Sequence, residues 1–202
     1  MIRAIKSIDW RSLRVRLLTV TGVAMTLCFG VWCWQGWHND TRNELAATSA
    51  KLEAVAATSG IALDGDLHQG LEPQMPSQPR AASVPEDYVV LQETLALIAE
   101  RNALEGEVVT LVVTDEGLAA IQADRESIHP GALDLFVTSE AHPRWRETVD
   151  YVPAMAPALF EGRASSARTQ NGALAGYAPV FDSFGAVAGI VRAQVPWSSS
   201  LL

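Results

Sequence analysis

ALAGYAPVFDSFGAVAGIVRAQV, residues 173–195, is the stretch whose reading decides the fold. Two apolar, β-branched runs flank Asp182-Ser183-Phe184-Gly185, a four-residue turn signal. Immediately upstream, Asn171-Gly172 separates this pair from ASSARTQ (164–170), and Asn-Gly suits a type I′ hairpin turn. Three antiparallel strands in a meander follow. Working outward, VVTLVVT (108–114) is nearly continuous in β-branched residues, as in a strand buried on both faces. Asp115-Glu116-Gly117 reads as a turn and LAAIQAD (118–124) as the returning strand. Pro85-Glu86-Asp87 opens a helix whose stripe is Val89, Leu91, Leu95, Leu97 and Ile98, ending near Asn102. Pro153 to Phe160 reads as a short helix closed by Gly162. Arg125 to Tyr151 shows no clear period. Five strands flanked by helices predict an α+β domain.

The other end of the chain is of different chemistry. LLTVTGVAMTLCFGVWCWQGW (17–37) holds 21 residues without a charged side chain. As a helix it spans roughly 31 Å, close to the hydrocarbon thickness of a bilayer. Arg3, Lys6, Arg11, Arg14 and Arg16 precede it, and Trp32, Trp34 and Trp37 crowd its far end. Basic residues favour the cytoplasmic side and tryptophans favour the interface, which places residues 1–16 in the cytoplasm. A buried core helix and a cleaved signal peptide are the rivals. A signal peptide would have a shorter apolar region ending in a small-x-small site. Here bulky VWCWQGW comes first, and the first small-residue cluster is Ala46 to Ala50. The sequence therefore predicts an uncleaved signal anchor in the inner (plasma) membrane, with the rest of the chain periplasmic or extracellular.

Residues 38–68, alanine-rich and free of proline, read as a stalk helix continuing from the anchor. Leu45, Leu52 and Ser59 recur every seven residues, with Val55 and Ala62 near the complementary positions. Such a seam suits packing on its own domain or on a twin helix in a homodimer. Residues 69–85 hold four of the ten prolines and read as a loop. The core is expected over 86–196, with a tail at 197–202. No second apolar span follows Val195, so an output is expected from a continuation of the chain or from a separate transmitter protein.

Charge and chemistry exclude several functions. Residues 38–202 carry 22 acids against 10 bases, a balance that repels nucleic acid. The only cysteines, Cys28 and Cys33, lie in the apolar span, which excludes a disulfide framework or cysteine metal site in the exported part. Gly65 reads as the positive-φ stop of the stalk. Asp64, Asp66 and His68 around it could ligate a divalent ion. The simpler reading is aspartates bonding local backbone and His68 packing on the sheet. With no nucleophile elbow, phosphate loop or zinc-type motif, and with His68, His129 and His142 scattered, no enzyme, metal or cofactor is expected.

GYAPVFDSFGAVAGIVRAQV (176–195) resembles the closing hairpin of PAS-like extracytoplasmic sensor domains of the Cache or PDC type, found in bacterial membrane-bound signalling proteins. The pattern is carried by Gly176-Tyr177-Ala178-Pro179-Val180, by Asp182 to Gly185, and by Val187-Ala188-Gly189-Ile190-Val191. IALDGDLH (61–68), DYVVLQETLALIAERN (87–102) and PALFEG (157–162) are similar to other parts of such domains. The resemblance implies a PAS-like sheet and signal transduction, with a small molecule such as a carboxylate held between the sheet and the segment preceding the last three strands. The alternative is a non-catalytic assembly or interaction protein using the same fold without a ligand. From the residues themselves, Arg144, Trp145, Arg146, Asp150 and Tyr151 concentrate cationic, aromatic and acidic groups in one irregular stretch. An arginine there can hold a carboxylate by two parallel hydrogen bonds. Tyr177 joins them, since one of Tyr177 and Ala178 must face inward, and Arg192 does if its face points the same way. The fixed spacing of the amino-acid-binding version is absent.

Overall fold

The computed structural model describes residues 10–71, 84–142, 144–169 and 171–196. The expected tail at 197–202, residues 1–9 of the basic segment and positions 72–83 of the expected loop lie outside the described residues. The elements are α1 (Trp10–Ala62), α2 (Gly65–Leu71), α3 (Glu86–Arg101), β1 (Glu107–Val113), α4 (Asp115–Ala123), β2 (His129–Thr138), β3 (Thr148–Tyr151), a 3₁₀ turn (Pro153–Met155), α5 (Ala156–Phe160), β4 (Ser165–Arg168), β5 (Leu174–Phe181) and β6 (Val187–Val195). Two compact units divide the chain within α1, after Ala46.

In the first unit the described chain is all helix. Its large apolar side chains, from Leu17 through Phe29 to Trp37, are exposed all round rather than along one stripe. The Thr21 and Thr26 hydroxyls donate back to the Leu17 and Gly22 carbonyls (2.8 and 2.9 Å), hiding the polar groups that hydrocarbon would penalise. Among the described residues this is the one helix long and apolar enough to cross a membrane.

The second unit is an α+β domain on one antiparallel sheet of order β3-β2-β1-β6-β5-β4. The meander β4-β5-β6 follows the sequence expectation, and β1 pairs with β6 to join it to β1-β2-β3. One face is covered by residues 47–62 of α1 and by α2 and α3. Leu52, Val55 and Ser59 of the predicted seam are buried in this layer together with Ala56, while Ala62 is exposed. α1 approaches β5 closely. A Cβ on Gly176 would strike the Leu52 carbonyl, and one on Gly60 would strike the carbonyl of Pro179. The inner face carries Val109, Leu111, Leu133, Leu135, Tyr177 and Ile190, capped by Ile121, Met155 and Ala158.

Several expectations are corrected. The sheet has six strands, not five. LAAIQAD is helical (α4), because the Thr114 hydroxyl accepts the Gly117 N–H at 3.0 Å and starts a helix whose first turn holds Asp115 and Glu116. Arg125 to Tyr151 is not irregular. It contains β2 and β3, whose alternation is broken by register shifts at Thr110/Leu111 and His129/Leu133. The Asn171-Gly172 turn, with Gly172 at φ 79°, is not the two-residue type I′ loop expected. Gly172 N–H bonds Thr169 O and Thr169 N–H bonds Ala173 O, which makes a longer loop closed by the glycine. The stalk expected over 38–68 is two helices meeting at Leu63–Asp64. Gly65 does not have positive φ. It is a glycine because a Cβ there would collide with the Phe181 carbonyl. In α3 the buried stripe is Tyr88, Leu91 and Leu95, while Val89 and Leu97 stay exposed. Gly162 does close α5, at φ 63°.

Candidate ligand cavity

β6 alternates Ile190, Arg192 and Gln194 on the inner face, and Tyr177 of β5 lies directly across from Arg192. The start of β1 brings Glu107 to the same wall. Segment 152–160, which crosses from β3 to β4, roofs the far side with Val152 and Met155. Together these line a half-open cavity of about 360 Å³ whose polar wall includes Glu107, Arg144, Arg192, Tyr177, Thr148 and Asp150.

One carboxylate organises the charges. Glu107 Oε1 lies 2.8 Å from Arg192 Nη2, and Glu107 Oε2 is paired with Arg144 Nη2. Arg144 also sits 3.5 Å from Glu140 and 3.6 Å from Glu147, both more than half exposed. Burial works against the Arg144 charge, but Glu107 and then the other two carboxylates outweigh it and raise its pKa above the usual range. The Nε groups of Arg144 and Arg192 are both buried without a hydrogen-bond partner. Burial also pushes the Tyr177 phenol up, with Arg192 pulling the other way. Two guanidinium groups and a phenol on one wall can recognise an oxyanion.

Of the sequence-predicted residues, Arg144, Asp150 and Tyr177 line the cavity, and Asp150 Oδ1 accepts the Gly131 N–H at 3.0 Å. Arg192, conditional on its face, does point in. Tyr177 and Ala178 are both buried, because β5 is covered on both sides. Tyr151 lies within the core, its hydroxyl donating to Arg125 O at 2.9 Å. Trp145 packs edge-on against Tyr88 of α3 at 5.6 Å and, with Arg146, borders a separate depression of about 120 Å³. The cause is a bulge. Arg146 N–H bonds Leu135 O (2.7 Å) while Leu135 N–H bonds Glu147 O (2.8 Å), so two residues oppose one. Arg146, at φ 61°, occupies the left-handed position glycine usually takes in such a bulge. The sequence reading missed Glu107, Gln194 and Met155. Period-two alternation along β6 is the signal that reaches Gln194. Glu107 has none, since its partner Arg192 is 85 positions away.

The aspartate cluster is put to structural use. Asp64 Oδ1 accepts the N–H groups of Asp66 and Leu67 at 3.0 and 3.2 Å, and Asp66 Oδ1 accepts Ser183 N–H at 3.0 Å. No protein-family model matches the chain, and no curated protein matches it.

Proposed function

We propose that the chain is a membrane-anchored extracytoplasmic sensor domain of the PAS-like, Cache or PDC type, which binds a small anionic molecule for signal transduction. In this reading the basic N-terminal segment stays in the cytoplasm and the acidic second unit faces outward. β2-β1-β6-β5-β4 form the PAS-like sheet, with β3 added at its edge. The observation that carries the proposal is the convergence of Arg144 and Arg192 on a cavity between the inner face and the segment preceding the last three strands, where the resemblance puts a ligand. A panel of metabolites tested by thermal unfolding of the whole chain in detergent checks it. A ligand at 100 times its Kd stabilises by about 2.7 kcal/mol. Absence of a shift with every compound sinks the sensor reading.

A second reading, an assembly or interaction protein using the fold without a ligand, is favoured by one feature. Phe184 at the β5–β6 tip is 92% exposed on a turn fixed by Asp182 Oδ1, which accepts from Phe184 and Ala186 N–H at 2.9 and 2.8 Å. A pre-ordered aromatic in solvent is a common protein contact.

A further inference from the structure

Two cations on the cavity wall share a single carboxylate from their own chain, and they are unequally served. Arg144 has three acidic neighbours in Glu107, Glu140 and Glu147. Among the described residues, Arg192 has only its half of Glu107. Its side chain is 14% exposed, and its Nε, like that of Arg144, is buried without a hydrogen-bond partner, but only the Arg144 Nε has a carboxylate nearby, Glu140 at 3.5 Å. A buried, unpaired donor on a guanidinium is costly and calls for an acceptor from elsewhere. We infer that Glu107 is a built-in counter-ion which a ligand carboxylate displaces from Arg192, and that the ligand carries one carboxylate rather than two. The inference rests on the sensor reading of this cavity.

The geometry gives the exchange somewhere to go. Glu107 borders not only the 360 Å³ cavity but also a neighbouring depression of about 610 Å³, together with Asn171 and Gln194. On displacement Glu107 keeps Arg144 and leaves Arg192 to the incoming oxyanion, with the Tyr177 ring beside it. The number of charges follows from the neighbours. A second ligand carboxylate would have to approach Arg144, where Glu140 and Glu147 already stand and like charges repel. The remainder of the ligand meets a mixed lining, in which Leu135, Val149, Val152 and Met155 stand beside Thr148, Asp150, Thr169 and Asn171. The class is therefore a monocarboxylate.

The test uses the full chain in detergent, with thermal unfolding read against butyrate, benzoate, succinate and butylamine. Butyrate or benzoate is expected to stabilise the wild type, succinate to do so more weakly, and butylamine not at all. Arg192→Gln is expected to abolish the effect. Glu107→Gln removes the competitor, so monocarboxylate affinity is expected to rise about tenfold and succinate to become a ligand. Should Glu107→Gln fail to fold, Glu107→Asp, which withdraws the carboxylate by one methylene, is expected to tighten monocarboxylate binding in the same direction. Stronger binding of succinate than of monocarboxylates by the wild type would overturn the inference. So would unchanged or lost binding in a folded Glu107 variant. A shift with butylamine alone, or only with a non-carboxylate from the metabolite panel, leaves the sensor reading standing and overturns this one. Silence with every compound removes both.

Discussion

His68 offers the sharpest test of how the helix layer is held to the sheet. Its ring is buried against Phe136, with centroids 4.5 Å apart, and Nε2 lies 2.9 Å from Thr110 Oγ1. That same oxygen accepts the Val137 N–H at 3.0 Å, which leaves it a proton and a second lone pair for Nε2, so a neutral ring is satisfied in either tautomer. Burial lowers the His68 pKa from 6.5 to about 4. The unfolded chain therefore takes up a proton near pH 6.5, whereas the folded chain does not until about pH 4. Between these values the unfolded state binds more protons, so stability falls as pH falls and levels off below the folded pKa. At 1.36 kcal/mol per unit, the loss accumulated across this window is about 3 kcal/mol. His68→Gln keeps a hydrogen-bonding group toward Thr110 but cannot titrate. Denaturant unfolding of both chains in detergent from pH 7.5 to 4 is expected to show a wild-type slope steeper than the variant's by that amount. The remaining histidines and the carboxylates are common to both chains and cancel. Identical slopes would refute the claim that His68 is buried neutral.

Gly176→Ala places a methyl group against the Leu52 carbonyl and is expected to cost about 2 kcal/mol in denaturant midpoint analysis, although alanine ordinarily suits a strand better than glycine. Arg146→Gly removes the left-handed penalty at φ 61° and is expected to stabilise the domain by about 1 kcal/mol by the same measurement. A loss instead would mean that the Arg146 side chain contributes more than its backbone costs. Thr114→Ala deletes the α4 N-cap and is expected to cost about 1 kcal/mol, while Thr114→Ser retains most of it.

The meander, β1, α3 and the short α5 were legible because each announces itself locally, through β-branched runs, turn residues or proline and acids at a helix start. α4 was hidden by its own punctuation. Asp115-Glu116-Gly117 reads as a hairpin turn unless Thr114 is recognised as a cap. β2 and β3 were hidden because two register shifts and the Arg146 bulge break the alternation by which half-buried strands are read. The site shows the same division. Arg144 and Asp150 were reached through local composition, and Tyr177 and Arg192 through strand alternation. The bulge turned Trp145 and Arg146 to another depression, and no short-range pattern links Glu107 to Arg192.

The contact between α1 and β5 has a thermodynamic consequence. Where residues 47–62 lie on the sheet, the closest approaches are glycine to carbonyl, at Gly176 against Leu52 and Gly60 against Pro179. Glycine has no rotamers to freeze, and Ala56 and Ala178, also buried there, have none either. Long side chains would each surrender up to about 2 kcal/mol of rotamer freedom on ordering. At these two approaches the helix therefore settles on β5 with no side-chain rotamers to freeze, and the spacing there is set by main-chain atoms that no rotamer change can alter.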